Sequence, residues 1–258
     1  MTETLLEKPK KMRFPLIDAV RGLCISGMVI YHALFDVVEV FGYDVDKFTS
    51  FTPLTLVRDI GAGLFVFISG VCFHFSHRRL RRFMILFAGG LAVDIVTRIV
   101  APDTAVLFGI LTFMSVSGLL LSVGDRFLSR LPPRTFFVIN VLLFAFFFRM
   151  NYAYIGTYSH VFFYMPLSLY RNYITAFFGF PFDGFSAGDY FPLFPWMFAC
   201  LVGYFFFNAC KGSEKIRRAA CMRIPVLPWL GRHSLVIYIA HQPVLYGAVW
   251  LAAKILGK

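Results

Sequence analysis

The first long apolar run of the chain contains side chains that can do chemistry. Arg21 and His32 are eleven positions apart, about three helical turns, so in a helix they share one face with about 16 Å between them. That face carries a cation near one end and a base near the other. Because charged groups are costly inside an apolar helix, the pair indicates function more strongly than either residue does alone.

Structural interpretations stay open for the same helix. Asp18 and Arg21 have the i,i+3 spacing of a helical ion pair, and His32 can form an interhelical hydrogen bond. Asp36 lies one turn beyond His32 and could hold its ring, as a carboxylate holds a catalytic histidine. Equally, Asp36 could belong to a solvated helix end.

Polar pairs also occupy later apolar runs, namely Arg58 with Asp59, Asp94 with Arg98, and His241 with Gln242. For the first two, structural ion pairing is the favoured interpretation. The third needs hydrogen-bonding partners within the bundle, which packing alone would explain as well as function would. The five cysteines form no CxxC pair, so the sequence predicts no disulfide and no metal site.

The composition predicts an all-α, polytopic transmembrane helix bundle. Hydrophobic residues make up 59% and charged residues 15% of the 258 positions, and the mean hydropathy is +0.72. An ordinary soluble domain is about a quarter charged. Because several apolar runs are long enough to cross a bilayer, we expect a single transmembrane domain over residues 1–258.

About seven spans are predicted, since each span needs roughly 17–25 mostly apolar residues. They lie near residues 16–38, 54–76, 83–100, 105–123, 135–150, 192–210 and 234–253. We interpret residues 151–190 as an outer loop, because an eighth span there would move the basic cluster from Lys211 to Arg223 outside. With seven spans the basic clusters fall on the side of the N-terminus, which the positive-inside rule makes cytoplasmic.

The net charge of +11 arises from short basic clusters between apolar runs. This pattern is typical of membrane topology rather than of nucleic-acid binding. We therefore expect membrane lipid and no nucleic acid as a partner, and the cytoplasmic (inner) membrane as the location. The basic stretch from Lys8 to Arg13 precedes a run too long for a signal peptide, which predicts a retained first helix.

Three segments together resemble one family of membrane proteins. They are the Arg21/His32 pair, the DYFPLFPW stretch from Asp189 to Trp196, and the LGRHSLVIYIAHQPV stretch from Leu230 to Val244. They resemble the heparan-alpha-glucosaminide N-acetyltransferase-like family, a relative of the transmembrane acyltransferase-3 group. The resemblance implies transfer of an acyl group, usually acetyl, from cytoplasmic coenzyme A to a sugar amine or hydroxyl on the far side. It also implies that His32 takes part in the transfer and that Arg21 lies on the cofactor path.

An acyl transfer of this kind needs cations that bind the cofactor and a base that activates the acceptor. The phosphates of acetyl-coenzyme A need cations at the inner face, which Arg21, Arg232 and Arg78 with its neighbouring arginines can supply. The positive-inside rule explains that arginine cluster without any ligand. His32, with Asp36 beside it, is the predicted catalytic base, either for direct transfer or for an acyl-histidine intermediate.

The predicted acceptor contacts are Asp189, Tyr190, Trp196 and His241. Asp189 is polar, and the two aromatic rings can stack on a sugar, whereas an aromatic belt with a proline-set helix start explains the same stretch structurally. We expect a glycan or glycolipid as the acceptor. A homodimer is left open.

Two other functions fit the same intramembrane charges. A transporter or permease would use them as an ion path. A non-catalytic subunit of an envelope-synthesis complex would need them only for packing, and would tolerate His32→Ala.

Overall fold

The computed structural model describes residues 14–76, 78–100, 102, 105–222 and 224–257. The basic stretch from Lys8 to Arg13 and the last residue of the third basic cluster, Arg223, lie outside the described residues. The helices are α1 (Pro15–Val40), α2 (Val45–Ser50), α3 (Thr52–Phe73), α4 (Arg79–Val100), α5 (Ile110–Leu128), α6 (Pro133–Phe147), α7 (Tyr173–Phe178), α8 (Leu193–Cys210), α9 (Glu214–Ala220), α10 (Leu227–Arg232) and α11 (Ser234–Ile255).

Seven of the helical segments are long and apolar enough to cross a membrane. They correspond to the seven predicted runs, so the all-α polytopic bundle is confirmed. Prolines begin several of these helices, as at Pro15 and Pro133, because the first helical turn needs no backbone donor there. The only sheet within the described ranges is a short antiparallel hairpin of β1 (Tyr154–Gly156) and β2 (Val161–Tyr164).

The fourth span begins later than its hydropathy predicts. The apolar run starts at residue 105, whereas α5 begins at Ile110. The intervening backbone pairs with another loop instead: Gly188 N donates to Ala105 O, and Phe191 N donates to Phe108 O. Phe108 has a φ of 56°, a left-handed conformation that turns the chain into the helix. This pairing carries Asp189 to the start of α5.

Residues 151–190 form no long helix. The hairpin is followed by a 3₁₀ turn at Leu167–Leu169 and by α7, which a capping box at Asn172 begins and the left-handed Gly179 ends. The Tyr170 hydroxyl donates to the carbonyl of Met150 at 2.5 Å, and burial raises the pKa of this tyrosine to about 12. The segment is therefore held to the end of α6 by defined contacts.

At two helix crossings, glycines face the backbone of the other helix. In the α3/α8 crossing, a Cβ at Gly70 would collide with the carbonyl of Cys200, and one at Gly203 with the carbonyl of Phe67. In the α1/α10 crossing, Gly22 and Gly231 meet each other's helix in the same way. Small residues allow such close approach, and in lipid it is packing that holds helices together.

The two ends of the bundle differ in their charges. The basic end is formed by the start of α1, the end of α3, the start of α4 and the end of α5, where Asp125 accepts from Arg79 at 3.0 Å and from the Tyr204 hydroxyl at 2.7 Å. The loop end is formed by α2 and residues 151–190. The chain through α10 and α11 runs in the same direction as α1, since Arg21 contacts Gly231 of α10 near the basic end and Asp36 contacts Gln242 of α11 further along.

Candidate functional site

Two histidines meet between α1 and α11. The ring centroids of His32 and His241 are 5.0 Å apart, although the residues lie at opposite ends of the chain. The sequence singled out both residues, the first as a base and the second as an acceptor contact. The structure brings the two side chains into one site.

The hydrogen bonding of His241 determines which ring nitrogen can act as a base. Its Nδ1 lies 2.5 Å from the Tyr238 carbonyl, which can only accept, so Nδ1 carries the proton. In the neutral ring Nε2 then has a free lone pair. Nε2 is buried and has no hydrogen-bond partner in the described structure. A buried base without a partner, beside a second imidazole, is suited to take a proton from a reacting group.

Asp189 and Tyr238 form the polar wall of this site. Oδ2 of Asp189 accepts from the Tyr238 hydroxyl at 2.6 Å and from the backbone N–H of Ile110 at 3.2 Å. The carboxylate is near enough to His32 and His241 to interact electrostatically with both. No direct ion pair between Asp189 and either ring occurs in the described residues. The start of α5 thus holds a carboxylate close to the two histidines.

Asp36 is fully buried, with 0% of its surface exposed. Its Oδ1 accepts from Nε2 of Gln242 at 2.8 Å, while its Oδ2 and Oε1 of Gln242 have no partner within the described chain. The expected contact, in which the His32 ring donates to the Asp36 carboxylate, is not among its described contacts. Asp36 therefore joins α1 to α11 one turn beyond the histidines, and its catalytic role stays a prediction.

An ion pair at the start of α3 lies near His32. Arg58 forms the expected ion pair with Asp59 at 2.8 Å, and its guanidinium carbon lies 5.8 Å from the centre of the Tyr31 ring. The Tyr158 hydroxyl donates to Oδ2 of Asp59 at 2.6 Å. Burial, together with this hydrogen bond, raises the pKa of Tyr158 above its ordinary value. Arg58 also interacts electrostatically with His32, a link that the adjacent 58/59 spacing did not predict.

Arg21 lies toward the basic end on the same helix as His32. Its guanidinium donates to Sγ of Cys72 at 2.9 Å and approaches the Asp18 carboxylate at 3.4 Å and the Gly231 carbonyl at 3.5 Å. The predicted Asp18–Arg21 ion pair is confirmed, but it is long. Most of the donor capacity of Arg21 is therefore not used by carboxylates.

Arg82 is a cation that the sequence did not single out within its cluster. It is half-buried and near enough to Arg21 for the two charges to interact. It borders a cavity of about 20 Å³, room for about one water molecule. Only the packing of α4 against the bundle distinguishes Arg82 from its exposed neighbour Arg78. Two cations that have one acidic partner between them in the described part of the chain, Asp18, form a site suited to an anionic ligand.

The other predicted cofactor residues lie at the surface. Arg78 and Arg232 are exposed, and Arg232 donates to the carbonyl of Pro228 in its own helix at 3.2 Å. Neither has a described contact with Arg21. The structure therefore brings Arg21 together with Arg82 rather than with Arg78 or Arg232.

The aromatic residues of the DYFPLFPW stretch take different positions. Tyr190 donates its hydroxyl to the Ala176 carbonyl at 2.5 Å, and burial raises its pKa above the ordinary value. Trp196 is 9% exposed and packs in the core against Phe144 and Phe191. Neither ring has a described contact with His32 or His241, so their contact with an acceptor stays a prediction. Tyr238, which the sequence missed, lies three positions before His241 on the same helical face.

Comparison with known proteins identifies the family. The chain matches the family described as Heparan-alpha-glucosaminide N-acetyltransferase, catalytic, over residues 13–243. This range includes both histidines, Arg21 and Asp189. No match was found among curated proteins or among solved structures. Because the match spans most of the chain, the protein belongs to the heparan-alpha-glucosaminide N-acetyltransferase family of transmembrane acetyltransferases.

Proposed function

We propose that the protein moves an acetyl or short acyl group from cytoplasmic acyl-coenzyme A to an amine or hydroxyl of a glycan or glycolipid on the opposite side of the cytoplasmic membrane. The observation that carries this proposal is the contact of His32 with His241 at 5.0 Å, on a helix that also bears Arg21 toward the basic end. Helix α1 thus carries a base inside the bundle and, toward the basic end, a cation on the side where we place the acyl donor.

The histidine pair can deprotonate the acceptor. In direct transfer the acceptor nitrogen or oxygen attacks the thioester carbonyl, its proton passes to an imidazole such as Nε2 of His241, and the carbon–sulfur bond breaks. The sulfur leaves as a thiolate that regains a proton. In the alternative route a ring nitrogen of His32 attacks the thioester carbonyl and the carbon–sulfur bond breaks, releasing the thiolate, which regains a proton. The acceptor then attacks the acyl group, gives its proton to a neighbouring base and frees the imidazole as the acyl–nitrogen bond breaks. The close approach of the rings suits either route, because direct transfer needs one imidazole as base and the acyl-histidine route can use one ring as nucleophile and the other as base.

Arg21 and Arg82 fit the anionic part of the donor. Guanidinium groups bind phosphates through paired N–H donors. Among the described ion pairs, Arg21 has one long contact to Asp18, and Arg82 has none. We propose that they hold phosphates of acyl-coenzyme A, whose thioester supplies the activated acyl group. Asp189, on the other side of the histidines, would attract an acceptor that carries an ammonium group.

The direct test is transfer of radiolabelled acetyl from acetyl-coenzyme A to glucosamine by the purified protein in proteoliposomes. His32→Ala and His241→Ala are expected to reduce transfer by about 100-fold or more, the usual size of a lost general base. His160→Ala is the matched control, because His160 is exposed in the hairpin and should leave transfer unchanged.

The same experiment separates the other interpretations. A transporter would move its solute without an acyl donor and would show no label on the acceptor. A non-catalytic subunit would keep its partners and stability in His32→Ala without any transfer of its own. Absence of both donor binding and label transfer in folded wild type would exclude the acyltransferase.

A further inference from the structure

A single arginine at the loop end is surrounded by tyrosines. The guanidinium carbon of Arg149 lies 4.5 Å from the centre of the Tyr152 ring and 4.2 Å from that of Tyr158. Its Nε donates to the Tyr154 hydroxyl at 3.0 Å. Arg149 follows α6 directly, and the three tyrosines belong to the turn and hairpin after it. These ring contacts hold the cation in place. Among the described hydrogen bonds of its side chain only Nε has a partner, so its two terminal nitrogens can bind a ligand.

Arg149 has no acidic partner among the residues that the structure describes. No carboxylate in the described part of the chain forms an ion pair with it, in contrast to Arg58, Arg79 and Arg98, which all have acidic partners. Two positions further on, the side-chain oxygen of Asn151 is buried without a hydrogen-bond partner. A half-buried guanidinium without an acidic partner in the described chain is suited to bind an anion.

The tyrosine cluster connects to the histidine site. Tyr158, stacked on Arg149, donates to Asp59 at 2.6 Å, and Asp59 is paired with Arg58, which interacts electrostatically with His32. The arginine therefore belongs to a continuous set of contacts that reaches the proposed reaction centre. A lipid phosphate bound at the outside of the bundle would not require that connection.

We propose that Arg149, with Tyr152, Tyr154 and Tyr158, forms an acceptor subsite that binds an anionic group, a phosphate or a carboxylate, carried by the sugar acceptor. This inference rests on the proposed acyltransferase function and defines its substrate class more closely. The ring of Tyr152, 53% exposed, offers a face for a sugar. The anion pairs with the guanidinium, which directs the reactive amine or hydroxyl toward the histidines.

The test compares two probes that differ only in a phosphate, glucosamine and glucosamine 6-phosphate. Their binding to the full-length protein is measured by saturation-transfer NMR and by calorimetric titration. The detergent and the buffer contain no phosphate, which would compete for the site. Wild type is expected to bind the phosphorylated sugar about tenfold more tightly or better, as charge-assisted hydrogen bonds allow. Arg149→Gln should abolish the preference, and Arg149→Lys should retain only part of it, because the ammonium cannot stack or form a fork.

Arg171→Gln is the matched control, since Arg171 is an exposed arginine in the same loop segment. Equal binding of the two sugars by wild type, no binding of the phosphorylated sugar, or equal losses in the two glutamine variants would overturn the proposal. Binding of phosphatidylglycerol that depends on Arg149, without binding of the sugar phosphate, would also overturn it and assign the site to lipid.

The readouts also distinguish this proposal from the proposed function. His32→Ala should abolish acetyl transfer but keep the preference for the phosphorylated sugar. If wild type shows that preference yet transfers no acetyl group, the acyltransferase reaction fails while the anion subsite stands. Transfer to both sugars at equal efficiency, with equal binding, would leave the reaction intact and refute the subsite.

Discussion

Replacing Gly22 by alanine should separate α1 from α10. A Cβ at this position would lie 2.9 Å from the carbonyl carbon of Leu227 and 3.1 Å from the backbone nitrogen of Gly231, and it would overlap the Leu227 carbonyl oxygen. Backbone atoms cannot rotate away as a side chain can, so the helices must move apart. Overpacking of this kind costs about 1–3 kcal/mol.

Gly27 provides the control within the same helix. A Cβ at Gly27 meets nothing within 4 Å, so Gly27→Ala adds a methyl group without a collision. Both substitutions gain the same helix propensity, up to about 1 kcal/mol. The difference in stability between the two variants therefore isolates the steric cost in the α1/α10 crossing.

Thermal unfolding in one detergent measures this difference. With about 2–4 °C per kcal/mol for a chain of this size, the Tm of Gly22→Ala should lie about 2–12 °C below that of Gly27→Ala. A second readout is the rate at which Cys72 reacts with a thiol reagent, followed by mass spectrometry. Arg21 contacts Cys72 at 2.9 Å, so a displaced α1 should make this buried thiol react faster.

Equal Tm values for the two alanine variants, with equal Cys72 reactivity, would refute the reasoning. The α1/α10 crossing would then be able to widen without cost, and the position of Arg21 would not depend on it. A lower Tm for Gly27→Ala than for Gly22→Ala would contradict the geometry directly.

Three further predictions follow from other contacts. Burial lowers the pKa of His74 below its ordinary 6.5, so below about pH 6.5 the unfolded chain takes up a proton that the folded chain resists, and stability falls. The Tm of His74→Phe should therefore fall less than that of wild type between pH 7 and pH 5.5, and an equal fall in Tm would contradict this. Gln242→Leu leaves the buried Asp36 carboxylate without its hydrogen bond and should cost about 1–3 kcal/mol. The double variant with Asp36→Leu should recover most of that stability, whereas additive losses would argue against the pairing. Tyr204→Phe removes a hydrogen bond of 2.7 Å to Asp125 and should cost about 1 kcal/mol. In a double-mutant cycle with Asp125→Asn the two losses should be less than additive, and full additivity would show that the hydrogen bond does not contribute.

Local spacing predicted the interactions that stay within one helix. The pairs Asp18/Arg21 and Asp94/Arg98 are found at 3.4 Å and 2.7 Å. Such pairs depend on the helical repeat alone, which the sequence displays. The predicted start of the fourth span was too early because residues 105–108 pair with the loop around Asp189. Hydropathy does not report an interaction of this kind.

Contacts between helices were only partly predictable. His32 and His241 were recognised separately, but nothing in their spacing placed one ring against the other. Tyr238 shares the face of His241 and could have been found by its i,i+3 position. Arg82 could not be distinguished from Arg78 by sequence, because burial of one arginine in a basic cluster depends on how α4 packs.

The sequence by itself determined the membrane class, the number of spans and the helix that carries Arg21 and His32, because these depend on apolar length and on the 3.6-residue repeat. Only the tertiary structure decided that His241 faces His32, that Asp189 is held at the start of α5, and that Arg149 lies among tyrosines without an acidic partner in the described ranges. These arrangements depend on how closely the helices approach one another, and in this bundle glycine crossings and loop pairing set that approach.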